Sequence, residues 1–119
     1  MCLTIDKSHK FLWLYKAKKA KRPITVYKVL TSINTSPYVE YKYKSGFNYP
    51  EKQSKRFVKT RMITCGFLHA YKSIELAEED VLFLQIIDSR VRTVKMTIPK
   101  GSLYFIGNDG TICASCLKW

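Results

Sequence analysis

The chain predicts an α+β fold: a single domain, residues 1–119, holding an antiparallel β-sheet of five or more strands with one or two short helices. Three observations carry this. Runs of alternating or β-branched residues recur at strand length along the chain. Asn108, Asp109 and Gly110 separate two of these runs with a tight-turn signal. One acid-rich run, opened by Ser73, has the character of a helix start. The 46% apolar and 13% aromatic content, with five glycines and four prolines, is that of a globular protein, and the length suffices for one buried core rather than two.

Taken in order, Phe11–Tyr15 with the basic run 16–22 reads either as an amphipathic helix or as a strand leading into a basic loop, and Pro23 limits any helix to the residues before it. Ile24–Leu30 is rich in β-branched residues and predicts a strand. In 39–44, Val39, Tyr41 and Tyr43 share one face and Glu40, Lys42 and Lys44 the other, which predicts a second strand. Ser45–Lys59, with Gly46 and Pro50, is expected to be a long loop.

Ser73 is a fair N-cap for Ile74–Asp80, whose acids suit the positive end of a helix dipole. The apolar run 81–87 can continue that helix or form a buried strand, and the reading favoured is a short helix that extends into it. In 90–98, Val94, Met96 and Ile98 alternate with Thr93, Lys95 and Thr97, the period of a half-buried strand ended by a turn at Pro99, Lys100 and Gly101. Leu103–Gly107 and Thr111–Leu117 then predict two more strands, and the three together read as an antiparallel meander.

The charge is segregated. Residues 1–61 hold 15 Lys and Arg against Asp6, Glu40 and Glu51, giving +12, while residues 62–119 hold six of each sign. A one-sided field of this kind attracts anions whatever backbone carries it. Lys16, Lys18, Lys19, Lys21 and Arg22 form one cluster; Lys55, Arg56, Lys59 and Arg61 belong to a second, with Lys42 between them. Such groups engage phosphate oxygens, arginine in bidentate fashion and lysine as a point charge. Tyr41, Tyr43, Phe47 and Tyr49 lie between the clusters and offer rings for base stacking, worth about 1–3 kcal/mol each. The blander reading places Tyr41 and Tyr43 in the core and leaves the lysines as a solubilising face.

His69, in alternating register with Phe67 and Tyr71, either lines a ligand pocket with Tyr71 or is a packed residue with one satisfied hydrogen bond. Cys113 and Cys116 form a CxxC pair that Cys65 and His69 would complete as a zinc set, but the pair lacks the Gly or Pro of a zinc knuckle, so buried free thiols are expected and no cofactor or metal. No nucleophile–base–acid spacing, phosphate loop, dinucleotide fingerprint or paired-carboxylate motif is present, which predicts a non-enzyme. No stretch reaches the roughly 18–20 apolar residues of a membrane span, and the first residues lack signal-peptide character, so a cytoplasmic protein without membrane contact is expected.

In the order Val26–Leu30, Ser36–Tyr38, Gly66–Tyr71 and Ile98–Tyr104, the chain resembles a set of small uncharacterised proteins of gut bacteria and their phages. It also has a faint likeness to ADP-ribosyltransferase-like folds, which open with a similar tyrosine-bearing strand and carry a late Ile-Pro-Lys-Gly turn. Lys28 stands where an arginine would hold the dinucleotide, and no glutamate follows the turn, so that likeness implies a fold without the activity. The resemblance implies a mobile-element protein in a bacterial host cell. Together with the charge it leads to the expectation of a non-catalytic binder that sequesters an anionic nucleotide used in immune signalling. The alternatives are a DNA- or RNA-binding protein using the basic half, and an inhibitor docked on an acidic protein surface. Self-association into a homo-oligomer is a further expectation, as a route to covering exposed sheet edges.

Overall fold

The computed structural model describes residues 3–4, 15–16, 18–37, 41–50, 57–58, 62–63, 68–107 and 110–119, the short pairs 3–4, 15–16, 57–58 and 62–63 by their backbone alone. Its strands are β1 (Leu3–Thr4), β2 (Tyr15–Lys16), β3 (Lys18–Lys19), β4 (Ile24–Leu30), β5 (Phe47–Asn48), β6 (Phe57–Val58), β7 (Met62–Ile63) and β8 (Leu68–Tyr71), followed after helix α1 (Ile74–Leu84) by β9 (Arg92–Ile98), β10 (Leu103–Ile106), β11 (Thr111–Ala114) and β12 (Leu117–Lys118). Eight of them form one antiparallel sheet in the order β3-β10-β11-β8-β4-β9-β12-β5; β1–β7 and β2–β6 are separate two-stranded pairs. The α+β expectation therefore holds at the level of an antiparallel sheet with one described helix.

The connections dictate the sheet's shape. β11 and β12 lie four positions apart in the sheet yet are joined by only Ser115 and Cys116. Three Cα steps reach at most about 11 Å, whereas four strand spacings of a flat sheet span about 19 Å. Pro99–Ser102 has to join β9 to β10 across the same four spacings, and the bond from Ser102 N to Pro99 O at 3.1 Å folds it into a turn too tight to span them. Both links close only if the sheet is rolled into an open barrel. Where the two links meet, the β10–β11 ladder runs one pair further: Ser115 N donates to Leu103 O at 2.8 Å and Leu103 N to Ser115 Oγ at 3.0 Å.

This corrects the expected meander. β10 and β11 are a hairpin, in register from Tyr104↔Ala114 to Ile106↔Ile112, but β9 pairs with β4 over its whole length and touches β12 rather than β10. The predicted strand 111–117 is likewise two strands on distant parts of the sheet, broken at Ser115 and Cys116. Within 39–44 the ladder reduces to a single Thr35↔Lys42 bridge, residues 39 and 40 lying outside the described ones. The expected long loop contains β5 and β6. Residues 81–84 do continue the helix, and 85–87 form its closing turn.

Period-two alternation then fills both faces of the roll. Val26, Leu30, Leu68, Ala70, Met96, Ile98, Ile112, Ala114 and Leu117 pack inside it. On the outer face Tyr27 and Val29 of β4 lie under α1, against Ala77, Val81 and Leu84. Ser73 caps α1 by accepting from Leu76 N, as its sequence predicts. Gly110, at φ +85°, leaves room for that first turn: a Cβ there would stand 2.4 Å from Leu76 Cδ1.

The edge strand β5 depends on one buried side chain. Asn48 Oδ1 accepts from Lys44 N at 2.9 Å, while its Nδ2 donates to Lys44 O, Gly46 O and Leu117 O. It organises the turn and ties it to β12. Asn48→Ala is expected to destabilise the protein by about 3 kcal/mol, since several buried partners lose their bonds together. Urea denaturation checks this, with the exposed Lys44→Ala expected to lie within about 0.5 kcal/mol of the unaltered protein.

Candidate functional site

The long β4–β9 ladder, in register from Ile24↔Ile98 to Leu30↔Arg92, has chemically opposite ends. At the Ile24–Ile98 end, Lys18, Lys19, Lys21 and Arg22 with Pro23, Ile24, Thr25 and Tyr104 line an open cleft of about 850 Å³. A second open cleft of about 420 Å³ shares Pro23 with it and is lined by Phe47, Lys95, Thr97, Pro99, Lys100, Lys118 and Trp119. Seven cationic side chains thus border two clefts joined at one proline, and among the described residues no acid lines either. Among the described residues the one ion pair is Arg90 with Asp88, far from this belt in the fold's connectivity.

Local structure explains the display. β3 is an edge strand whose two lysines are both exposed, while Ala20 next to it is buried and bonded to Ser102 O and Gly101 N, so the basic run is pinned to the 99–102 turn. In β9, Lys95 and Thr97 alternate outward from Met96 and Ile98. Gly46 and Trp119 exchange backbone bonds at 2.9 Å, which brings Phe47 beside Trp119 in the second cleft. Lys118 Nζ lies 5.4 Å from the centre of the Phe47 ring, itself 48% exposed, so a positive charge and an aromatic face stand side by side.

The remaining predicted ligand residues are placed differently. Tyr43 is 2% exposed and edge-on to Tyr41 at 4.7 Å, and Tyr41 donates to Tyr49 O at 2.6 Å; Tyr43 belongs to the inner core and offers no face to a ligand, and Tyr41 packs half-buried against that core. The reason is the alternation itself, which leaves Lys42 and Lys44 outside. Lys16 is in β2, described by backbone only, and Lys55, Arg56, Lys59 and Arg61 lie outside the described residues. His69 and Tyr71 lie on β8, none of whose residues lines the belt.

His69 and Tyr71 belong to a second, buried cluster around Lys28. This lysine occupies an inward position of β4, between Val26 and Leu30, and is 7% exposed. β4 and β8 pair at Tyr27↔Tyr71, and beyond that pair the Lys28 ammonium takes the place of a ladder donor, giving a proton to His69 O at 2.6 Å. It also lies 5.4 Å from the centre of the Tyr43 ring, while Tyr71 donates to Asp80 Oδ2 at 3.0 Å. Burial pulls the Lys28 pKa from 10.5 down to about 8, and the Asp80 carboxylate on α1 opposes part of that fall. The enclosed space among these groups is about 10 Å³, room for roughly one water molecule and for no organic ligand. Sequence reasoning passed over Lys28 as a binding residue; its position in the inward register was the available signal.

Cys113 faces His69 directly across β11 and β8. It is fully buried, and burial pushes its thiol up to about 12, leaving it a neutral apolar group. Cys116 sits past the end of β11 beside Tyr49 and Asn48, again with a raised pKa from burial. Cys65 lies outside the described residues, and among those described no group of three His, Cys, Asp or Glu is placed to hold a metal. No described helix is long and apolar enough to cross a membrane.

No family model matches the chain, and no curated protein or solved structure is significantly similar to it. The likeness to phage and gut-bacterial proteins, and to ADP-ribosyltransferase-like folds, thus rests on the residues quoted for it alone.

Lys28 gives stability a distinctive pH dependence. Below about pH 8 the lysine is charged in both the folded and unfolded states, and the folded state carries the full desolvation penalty. Between about 8 and 10.5 only the unfolded chain still holds the proton, so stability from this group rises with pH. Relative to Lys28→Met, the stability of the unaltered protein is expected to gain about 2 kcal/mol in all from pH 8 to 10, measured by urea denaturation of both proteins at each pH. The comparison cancels the opposing contributions of Tyr43 and Cys113, whose raised pKa values favour unfolding in alkali.

Proposed function

We propose that the protein binds single-stranded nucleic acid, without chemical turnover, along the basic belt at the Ile24–Ile98 end of the sheet. The observation that carries this reading is the spread of seven cationic side chains over two open, adjoining clefts that also hold Phe47, Tyr104 and Trp119. A small nucleotide held for sequestration calls for cations converging on a concave, largely enclosed site. The space around Lys28, where His69 and Tyr71 lie, is too small for a nucleotide. A polymer, by contrast, matches an open track in which lysines follow successive phosphates and rings stack on unpaired bases. Partly exposed Phe47, with Lys118 against it, is the best-placed stacking platform.

Anisotropy titration of a fluorescent oligothymidylate tests the reading. Affinity is expected to fall with salt at about −0.7 in log–log slope per phosphate engaged, giving about −3.5 for about five phosphates. Replacing both Lys18 and Lys19 with Glu is expected to weaken binding at least about tenfold and flatten that slope. Phe47→Ala is expected to weaken it roughly tenfold with the slope unchanged, because stacking releases no counterion. Tight, salt-insensitive binding of a mononucleotide or cyclic dinucleotide without oligonucleotide binding would restore the sequestration reading. Silence toward both classes would leave an acidic protein surface as the target.

A further inference from the structure

The opposite end of the β4–β9 ladder carries a different surface. There α1 covers Val29 and Val91, and its outward side is acidic in its first turns, with Glu75, Glu78 and Glu79 exposed. Its last turn and the turn that follows are apolar: Leu82 is 70% exposed, Phe83 66%, Ile86 83% and Ile87 82%. These four are neighbours at helical spacing, since Gln85 N still bonds Val81 O and Asp88 N bonds Leu84 O, so the helical turn persists through them. Together they present roughly 500 Å² of apolar surface, near the upper limit for a monomer's largest patch. Arg90 follows, exposed, with a long 3.9 Å contact to Asp88 as its ion pair.

We propose that this surface is a two-fold interface between two copies of the chain. Order along the surface, acid then apolar then basic, makes it complementary to itself when two copies lie antiparallel. An axis placed so that Phe83 packs on the partner's Ile86 also sets Leu82 on the partner's Ile87, and it directs Glu79 toward the turn after the partner's helix, which carries Arg90. The two apolar pairs come from one helical register, and the symmetry repeats each of them. Two such patches bury roughly 1,000 Å² of apolar area, and the flanking charges bring the contact to the lower range of specific interfaces. A polar or uniformly charged occupant would leave the apolar residues in water, and a uniformly basic one would satisfy the acids and face Arg90 with like charge.

Sedimentation equilibrium of the unaltered protein, across a concentration series at moderate salt, is expected to show a monomer–dimer equilibrium above the 13.9 kDa monomer mass. Replacing Leu82 and Ile86 with Glu is expected to yield monomer only, with unchanged circular dichroism because both side chains are exposed. Arg90→Glu is expected to raise the dissociation constant roughly tenfold, and adding Glu79→Arg to it to recover most of that loss. A protein that stays monomeric at several hundred micromolar, a dimer that survives the Leu82 and Ile86 changes, or a charge exchange that fails to recover affinity would each overturn the proposal. The oligonucleotide test of the belt is independent of all three.

Discussion

Two short links, Ser115–Cys116 and Pro99–Ser102, are the constraint from which the rest of the molecule follows. Neither reaches across a flat sheet of this strand order, so the sheet has to roll. Rolling gives a closed interior, where alternate residues of β4, β8, β9, β11 and β12 meet in one core, and a convex exterior on which a single helix finds its seat over Val29. It also gathers the ends of β4, β9, β10 and β12 into one region, so that lysines and aromatic rings far apart in sequence come to border the same two clefts. The belt is therefore a product of topology as much as of composition.

The same roll explains why a lysine lies inside. Inward positions of β4 are 24, 26, 28 and 30, and all but Lys28 are aliphatic. Where β4 and β8 part after Tyr27↔Tyr71, a backbone carbonyl on β8 loses its ladder partner, and the Lys28 ammonium supplies the missing donor. The charge is tolerated because Asp80 and the Tyr43 ring stand near it, though burial still outweighs them. A group of this kind fixes the way two strands separate, and the tyrosine–aspartate bond beside it links that point to α1.

What the sequence disclosed and what it withheld divide along local and non-local lines. Ile24–Leu30, the Ser73 cap, the alternation of Val94, Met96 and Ile98 and the pairing of β10 with β11 were legible because each depends on residues within a few positions of one another. The strand order was not. A four-residue link after Ile98 reads as a hairpin, and nothing local marks it as a crossing of a rolled sheet. For the belt, the basic run 18–22 was legible as charge, whereas Lys95, Lys100, Lys118 and Trp119 join it only through the roll. Tyr41 and Tyr43 show the reverse: their alternation with lysines was visible, and the burial it implies removes them from the list of exposed rings.

Finally, the β4–β9 ladder separates charge along its length, with the cationic belt where Thr25 faces Thr97 and the acids of α1 where Val29 faces Thr93. Among the described residues the charge is in consequence polarised along the ladder, cations gathered at one end and acids at the other. In the field of a phosphate polymer such a molecule feels a torque before it makes contact, and it turns belt-first. A polymer held at the belt would leave α1 and its hydrophobic turn at the other end of the ladder.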